Sequence, residues 1–211
     1  MNNRICIIIK CLEKTYPVQR SLLLWETPWQ LTAAVMLSAR TTDAGVNKVT
    51  PLLFSRWPEP ESMSRADLKE IEKIVHPLGF YRQKAKHLID AAGKIISDFN
   101  GRVPESFNDL TSLPGIGRKS ANVIRAHVWG LPAVIVDTHF SRVCRRLGLT
   151  ESRNAEIIED ELKHIIPEKH QTHFSMAVNY HGRDICTSRN PDCSRCVVKD
   201  LCPSAVSLNK A

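Results

Sequence analysis

The sequence lacks a hydrophobic run long enough to cross a membrane. The apolar stretch at residues 5–12 is short, and Lys10 interrupts it. A membrane-spanning helix needs about 20 consecutive apolar residues, and a secretory signal needs an unbroken apolar core. We therefore expect neither a membrane span nor a signal peptide, and we expect the chain to reside in the reducing cytoplasm.

The sequence also lacks the alternation of polar and apolar residues that is typical of β-strands. Residues 132–136 are the only β-branched apolar run, and this run is too short and too isolated to seed a sheet. Apolar residues recur instead at helical spacing in segment after segment. No internal repeat or low-complexity segment is present. The fold class is therefore predicted to be all-α.

Capping and stop signals divide the chain into predicted helices. Thr27-Pro28 should begin one helix, and Asp43 should cap the next, which Pro51 should kink or end. Ser64 and Asp67 have the spacing of a capping box. Asn100-Gly101 should end a long helix that begins after Gly79. The remaining helices are predicted at residues 106–113, after Gly117, and roughly at 138–147, 154–165 and 171–184.

The charge balance is basic. The chain has 29 Lys and Arg residues against 22 Asp and Glu residues, a formal net charge of +7 and a pI near 9.1. Such a balance favours a nucleic acid as partner, although many basic proteins bind none.

Cysteines are concentrated at the C-terminal end, where four of the seven lie within the last 26 residues. Cys186, Cys193, Cys196 and Cys202 are spaced C-x6-C-x2-C-x5-C. Four such thiolates can converge on a zinc ion or on an iron–sulfur cluster. Zinc sites usually contain two C-x2-C pairs, and here only Cys193 and Cys196 form one. The spacing therefore favours a cluster over zinc, with a disulfide scaffold as the weakest alternative because 211 residues can bury their own core.

The cysteine tail is too short to fold without its metal, so the centre that it binds and the preceding helices must hold it. The three other cysteines are expected to be free and buried as small apolar side chains: Cys6, Cys11 and Cys144.

A glycine-rich hairpin is predicted at Leu113-Pro114-Gly115-Ile116-Gly117. Glycine permits positive φ and close approach of a ligand to the backbone. A helix follows, and its free N–H groups, together with Arg118 and Lys119, can bind phosphate without reading sequence. The alternative is a plain interhelical turn carrying two solvated cations.

Lys119 and Asp137 form a candidate catalytic pair. A lysine is a nucleophile only when neutral, and a helix N-terminus, adjacent cations and partial burial all favour the neutral amine. Such an amine can attack a sugar anomeric carbon and form a Schiff base. A nearby carboxylate would stabilise positive charge on the sugar and assist proton movement, and Asp137 is the candidate. The alternative is that Asp137 simply caps the helix that follows.

Taken together, these motifs resemble the endonuclease III family of helix-hairpin-helix DNA glycosylases. The resemblance covers most of the chain and includes L-P-G-I-G-R-K-S-A-N, V-D-T-H, the cysteine tail, L-S-A-R-T-T-D near residue 40 and G-F-Y-R-Q-K-A near residue 82. It implies two helical domains with a DNA cleft between them. Residues 22–132 would form a six-helix barrel with the hairpin, and residues 1–21 and 133–211 an iron–sulfur cluster domain.

The resemblance also implies roles for individual residues. Lys119 matches the Schiff-base lysine, Asp137 matches the aspartate beside it, and the four cysteines match the ligands of a [4Fe-4S] cluster. Residues that match DNA contacts are Arg40, Phe80, Gly115, Gly117, Arg118, His139 and Arg189.

The family's activity is base excision repair of duplex DNA. An oxidised or ring-saturated pyrimidine is flipped out and displaced, and β-elimination nicks the strand at the abasic site. The expected partner is damaged or abasic double-stranded DNA, which would place a monomeric chain at the nucleoid of a bacterial or archaeal cytosol.

The chain departs from the family pattern in three places. Arg40 replaces a glutamine that fills the space left by the flipped base, Arg189 is the only cation in a loop that usually has several, and Pro51 interrupts a usually uninterrupted helix. Two alternatives therefore stay open. One is a non-catalytic DNA-binding protein with a structural metal, and the other is a monofunctional glycosylase, which usually lacks lysine at this position.

Overall fold

The computed structural model describes residues 3–17 and 21–208, and within these ranges every regular element is helical. The prediction of an all-α fold is confirmed. The chain divides into two compact units, one contiguous, Arg20–Gly130, and one discontinuous, Met1–Gln19 with Leu131–Ala211. None of the described helices is long and apolar enough to cross a membrane.

The discontinuous unit begins with α1, Asn3–Thr15, and the contiguous unit contains the next seven α-helices among the described residues. These are α2 Pro28–Leu37, α3 Asp43–Arg56, α4 Pro60–Ser64, α5 Leu68–Val75, α6 Tyr81–Phe99, α7 Phe107–Thr111 and α8 Arg118–Trp129, with a 3-10 turn at His76–Leu78 before α6. The discontinuous unit then resumes with α9 Thr138–Arg146, α10 Ala155–Ile165, α11 Glu168–Asp184, a 3-10 turn at Lys199–Leu201, and α12 Pro203–Leu208.

Helix α2 is the centre of the contiguous unit. Eight of its residues are buried, so it is apolar on all sides, which is typical of a helix surrounded by protein. It packs against α3, α6 and α8, and α6 packs in turn against α4 and α5. Trp29, Leu31 and Leu88 are among the side chains of this core.

The predicted caps are present at some helix starts and absent at others. The Thr27 side chain accepts from the Gln30 N–H and begins α2 as predicted. Thr42 rather than Asp43 caps α3, because its hydroxyl accepts from the Gly45 N–H at 3.1 Å. Helix α3 does not end at Pro51 but continues through it to Arg56.

The capping box predicted at Ser64 and Asp67 is wrong. Ser64 is the last residue of α4, a short helix that the apolar periodicity did not indicate. Asp67 caps α5 alone, since its carboxylate accepts from the N–H groups of Lys69 and Glu70, the second and third residues of the helix. The capping box of this region is formed by Glu59 and Ser62.

Helix α11 is the centre of the discontinuous unit and packs against α1 and α9. It begins at Glu168, three residues before the predicted start, and the side chain of Gln171 in its first turn is buried and donates to the Ile166 carbonyl at 3.1 Å. Phe140 and Phe174 meet edge to face in the core of the unit, with ring centroids 6.2 Å apart. Arg4 of α1 donates from Nε to the Leu201 carbonyl at 3.1 Å, so the first helix is bonded to the cysteine segment.

The three cysteines outside the tail are free, as predicted. Cys144 is completely buried, whereas Cys6 and Cys11 are half-buried against the same core.

Candidate functional site

The predicted hairpin is present between α7 and α8, and its two glycines have different conformations. Gly115 has φ of 83°, in the left-handed region that favours glycine, whereas Gly117 has φ of −96° and is extended. Ile116 between them is buried and anchors the turn to the core. Positive φ is therefore required at Gly115 alone, and Gly117 is the N-cap residue of α8.

Space around the two glycines differs in the same way. A Cβ on Gly115 would lie 2.8 Å from His87 Nδ1, whereas a Cβ on Gly117 would meet nothing within 4 Å. Gly117 therefore leaves the backbone at the start of α8 open to a ligand. As an N-cap without a side chain, it also leaves the first-turn N–H groups without the cap that Ser or Asp would supply.

Arg118 and Lys119 are the first two residues of α8, and both are exposed. The guanidinium carbon of Arg118 lies 4.9 Å from the centre of the Phe107 ring, and this cation–π contact helps to hold the Arg118 side chain in place. The partial burial expected for Lys119 is wrong, because the residue is exposed.

Arg40 and Phe80 lie together on another part of the contiguous unit. Both are exposed non-glycine residues with positive φ, 55° and 49°, and the guanidinium carbon of Arg40 is 5.4 Å from the Phe80 ring centre. Helix α2 ends at Leu37 and α3 begins at Asp43, so Arg40 belongs to the turn between them.

A buried lysine connects the turns that carry these two residues. Lys84 Nζ donates to Thr41 Oγ1 at 2.7 Å and to the Leu78 carbonyl at 2.9 Å, and the Thr41 hydroxyl also donates to Leu78 at 2.6 Å. Burial lowers the pKa of Lys84. Sequence reasoning missed this residue, because a lysine in an amphipathic helix is usually placed on its solvated face.

Asp137 is held by both of its carboxylate oxygens. Oδ1 accepts from the Phe140 N–H at 2.8 Å and so caps α9, and Oδ2 accepts from Asn179 Nδ2. The extended segment before it is buried and bonded to α11, where Ser175 Oγ accepts from the Ile135 N–H at 3.0 Å. The capping role is thus real, and Asn179 adds a second constraint that sequence reasoning did not identify.

The two remaining predicted DNA contacts lie in the discontinuous unit. His139 is half-buried on α9, and its Nδ1 lies 3.3 Å from Nη2 of Arg142. Arg189 is exposed in the loop between Cys186 and Cys193.

The four tail cysteines surround one cavity of the discontinuous unit. Its other walls are mainly apolar and include Val143, Leu147, Ile185 and Val198. Two basic side chains reach the sulfur atoms: Arg146 Nη1 lies 3.2 Å from Cys186 Sγ, and His181 Nε2 lies 3.4 Å from Cys196 Sγ. Neither residue was identified from the sequence.

This donor set fits an iron–sulfur cluster better than one zinc ion. Within residues 3–17 and 21–208, no three histidine, cysteine or acidic side chains converge closely enough to hold a single metal ion. A cluster, in contrast, is held by thiolates that surround it. Burial raises the pKa of Cys196 and of Cys202, which opposes ionisation of these thiols, whereas bound iron ions would favour the thiolates.

Comparison with known proteins identifies the family. Residues 33–168 match the HhH-GPD superfamily base excision DNA repair proteins, and residues 186–202 match the iron–sulfur binding domain of endonuclease III. The chain is 45% identical over 199 residues to endonuclease III of Synechocystis sp., covering 94% of this chain and 91% of that protein. The chain belongs to the endonuclease III family.

Other members of the endonuclease III family are similar over the same extent. The Escherichia coli (strain K12) enzyme is 34% identical over 195 residues, which cover 92% of each chain. A solved structure of a non-covalent endonuclease III–DNA complex has a TM-score of 0.92 and 33% identity, covering 100% of both chains. A trapped endonuclease III–DNA covalent intermediate has a TM-score of 0.90 and 34% identity, covering 98% of this chain and 99% of that one. In keeping with its family, the chain has a [4Fe-4S] cluster as cofactor and binds DNA.

Proposed function

We propose that the chain removes oxidised or ring-saturated pyrimidines from duplex DNA, with Lys119 as nucleophile and Asp137 as the carboxylate that assists it. As a member of the endonuclease III family, it is a base excision repair DNA glycosylase with AP lyase activity. The observation that carries the proposed role of Lys119 is its position, exposed in the first turn of α8 directly after the hairpin.

The hairpin supports a grip on the DNA backbone. The start of α8 combines N–H groups at a helix N-terminus, the partial positive charge of the helix dipole and two exposed cations. Gly117 keeps this surface free of a side chain. Contacts of this kind position a duplex and carry no sequence information, which suits an enzyme that must search all sequences.

Lys119 would supply the covalent chemistry. The neutral amine attacks C1′ of the flipped nucleotide, a bond from Nζ to C1′ forms, and the bond from C1′ to the base breaks. The base leaves with the bonding electrons and takes up a proton. The nitrogen then loses a proton, the C1′–O4′ bond breaks and O4′ takes up a proton, so that a C1′=N Schiff base forms on the ring-opened sugar. This Schiff base acidifies C2′, and loss of a C2′ proton expels the phosphate oxygen from C3′ and nicks the strand. Because Lys119 is exposed, the bound DNA must exclude the water around the amine.

Asp137 would stabilise the positive charge that develops on the sugar. The bond from the Phe140 N–H holds Oδ1 and the bond from Asn179 Nδ2 holds Oδ2, so both carboxylate oxygens have a defined position. We also propose that four further side chains contact the DNA: His139, Arg189, Arg40 and Phe80. The chain is proposed to act as a monomer.

Cys186, Cys193, Cys196 and Cys202 would hold the [4Fe-4S] cluster. When bound, the cluster would cross-link the four cysteines of the tail, and its sulfides would add negative charge there. No step of base removal needs it. The chain's own residues around it stabilise the tail, since Arg146 donates to the carbonyl groups of Thr187 and Ser188 as well as approaching Cys186.

The deciding experiment is borohydride trapping on DNA with an abasic site. Lys119→Gln should form no covalent adduct and should not nick the strand, yet it should bind the duplex nearly as well, because one cation is a small part of the phosphate contact. Arg118→Gln is the matched variant, since it also removes one cation from the first turn of α8 and should have an equally small effect on binding, while the adduct still forms.

A Lys119→Gln protein that still yielded a trapped adduct would place the nucleophile elsewhere. Absence of an adduct from the unmodified chain, with base release intact, would establish the monofunctional alternative. Absence of both, with binding intact, would establish the non-catalytic DNA-binding protein. Size-exclusion chromatography with light scattering tests the monomer.

A further inference from the structure

His181 is a buried imidazole that joins the cysteine cavity to the end of α1. Only 2% of its surface is exposed, and it lies in the last turns of α11. Its Nε2 is 3.4 Å from Cys196 Sγ, and its Nδ1 is 3.3 Å from the hydroxyl of Tyr16. Its carbonyl accepts from the N–H of Cys186 at 2.8 Å. One residue therefore contacts two of the four cysteines.

The direction of the bond to Cys196 follows from the chemistry of a cluster ligand. A thiolate bound to iron offers only lone pairs, so the hydrogen between the two atoms must belong to Nε2. The other ring nitrogen is then free to accept a hydrogen bond, and the Tyr16 hydroxyl faces it. The pair thus fixes the tautomer that sends N–H toward sulfur.

Tyr16 is itself held firmly. Its backbone N–H donates to the Leu12 carbonyl at 2.8 Å, its own carbonyl lies 2.8 Å from His173 Nε2, and its ring is nearly parallel to that of Tyr180 with centroids 6.4 Å apart. The hydroxyl also donates to Asp184 Oδ2 at 3.4 Å, so its single hydrogen is shared between this carboxylate and His181 Nδ1. The ring of Tyr16 therefore has little freedom to withdraw from His181.

We propose that His181 donates an N–H···S hydrogen bond to the cluster ligand Cys196, that Tyr16 is the positioning residue for this bond, and that the pair makes the cluster easier to reduce and harder to oxidise. Hydrogen bonds to ligand sulfur withdraw electron density and stabilise the more negative oxidation level, so they raise the reduction potential. The proposal rests on the assignment of the four cysteines as cluster ligands. It assigns the residues a task separate from base removal, which is to protect the cluster from one-electron oxidation.

The test measures the midpoint potential of the cluster in intact, iron-loaded protein, titrated with ferricyanide as the electron acceptor. His181→Leu removes the donor, and at a fixed potential the ratio of oxidised to reduced cluster should rise about tenfold, which is about 59 mV for a one-electron couple. His181→Gln restores an N–H donor and should stay near the unmodified potential. Tyr16→Phe should shift the potential in the same direction as His181→Leu but less.

Tyr180→Phe is the matched control, because it removes a hydroxyl from the ring that stacks on Tyr16 and should leave the potential unchanged. Equal potentials in all variants at full iron content, or a shift in His181→Gln as large as in His181→Leu, would overturn the proposal. If His181→Leu fails to fold, the comparison of Tyr16→Phe with Tyr180→Phe decides. Iron and sulfide analysis separates this outcome from failure of the cluster assignment, since unmodified protein without about four irons and four sulfides per chain would refute that assignment instead.

Discussion

The guanidinium of Arg40 lies over the ring of Phe80, 5.4 Å from its centre, and both residues have left-handed backbone conformations. Such conformations cost on the order of 1 kcal/mol or more for a residue with a Cβ, and they persist only where surrounding structure holds them. Lys84 supplies that support, because its ammonium group donates to Thr41, the residue after Arg40, and to the carbonyl of Leu78, two residues before Phe80. The result is a pair of exposed side chains with a defined position.

Arg40 should favour lesions opposite guanine. An arginine offers only donors, guanine presents acceptors at O6 and N7, and adenine offers one acceptor and one donor, whereas glutamine can both donate and accept. In single-turnover excision of one lesion, we expect a preference for guanine over adenine of about fivefold, or about 1 kcal/mol, which Arg40→Gln should reduce. A guanine-to-adenine ratio unchanged by the substitution, with a smaller salt dependence of binding, would identify Arg40 as a phosphate contact instead.

Lys84→Met should destabilise the protein by about 1 kcal/mol, because Thr41 and Leu78 lose a charged donor while keeping the bond to each other. Lys86→Met, at an exposed position two residues later, is the control and should have little effect on unfolding by denaturant. A Lys84→Met protein as stable as the control would show that burial of the ammonium group costs as much as its hydrogen bonds contribute.

The contribution of Lys84 should also depend on pH. Burial lowers the pKa of Lys84 below its ordinary value of 10.5, so the unfolded chain binds the proton more tightly than the folded protein does. Protonation of Lys84 therefore costs the folded protein some stability; this cost is absent above pH 10.5 and is fully present once the pH has fallen through the lowered pKa, where it offsets part of what the hydrogen bonds contribute. The difference in unfolding free energy between unmodified protein and Lys84→Met should therefore increase as the pH rises from the lowered pKa to 10.5. A difference that does not change with pH would contradict the lowered pKa of Lys84.

The two hairpin glycines should respond differently to alanine. Gly115→Ala places a Cβ at positive φ and 2.8 Å from His87 Nδ1, so it should lower the unfolding free energy by about 1–2 kcal/mol for the backbone alone. Gly117→Ala should leave stability nearly unchanged, because its Cβ meets open space, but should weaken binding of damaged and undamaged duplex by similar factors. A loss of binding confined to damaged DNA would mean that the hairpin reads the lesion.

Asn179→Leu should slow base release without changing DNA affinity. The substitution removes the donor to Asp137 Oδ2 and leaves the capping bond to Oδ1 in place. Loss of one hydrogen bond to a charged group is worth about 1.5 kcal/mol, which corresponds to roughly a tenfold fall in the single-turnover rate. Asn179→Gln keeps an amide and should recover part of the rate. An unchanged rate in Asn179→Leu would show that capping alone positions the carboxylate.

Local signals predicted the parts of the fold that local chemistry determines. Thr27 before a proline and Asn100 before a glycine each mark a helix end, and the structure has helix ends at both. Ser64 and Asp67 misled the prediction, because capping-box spacing alone does not distinguish the end of α4 from the start of α5.

The surroundings of the candidate site could not be predicted in the same way. Asn179 and Asp137 are 42 residues apart, and Tyr16 and His181 are 165 apart. Such pairs depend on how helices pack, which no short motif encodes. The sequence also could not distinguish Gly115 from Gly117, because both fit a hairpin and only the backbone path assigns positive φ to one of them.

The bond from Arg4 to Leu201 has a consequence for biosynthesis. The two residues are 197 positions apart, so a ribosome adding about 5–20 residues per second completes Leu201 roughly 10–40 s after Arg4. Within that interval all of Arg20–Gly130 is synthesised before α11, the helix that packs against α1, and before the cysteine segment to which Arg4 bonds. The contiguous unit can therefore fold while the first helix still lacks its partners, and the unit that contains the cysteines is completed last.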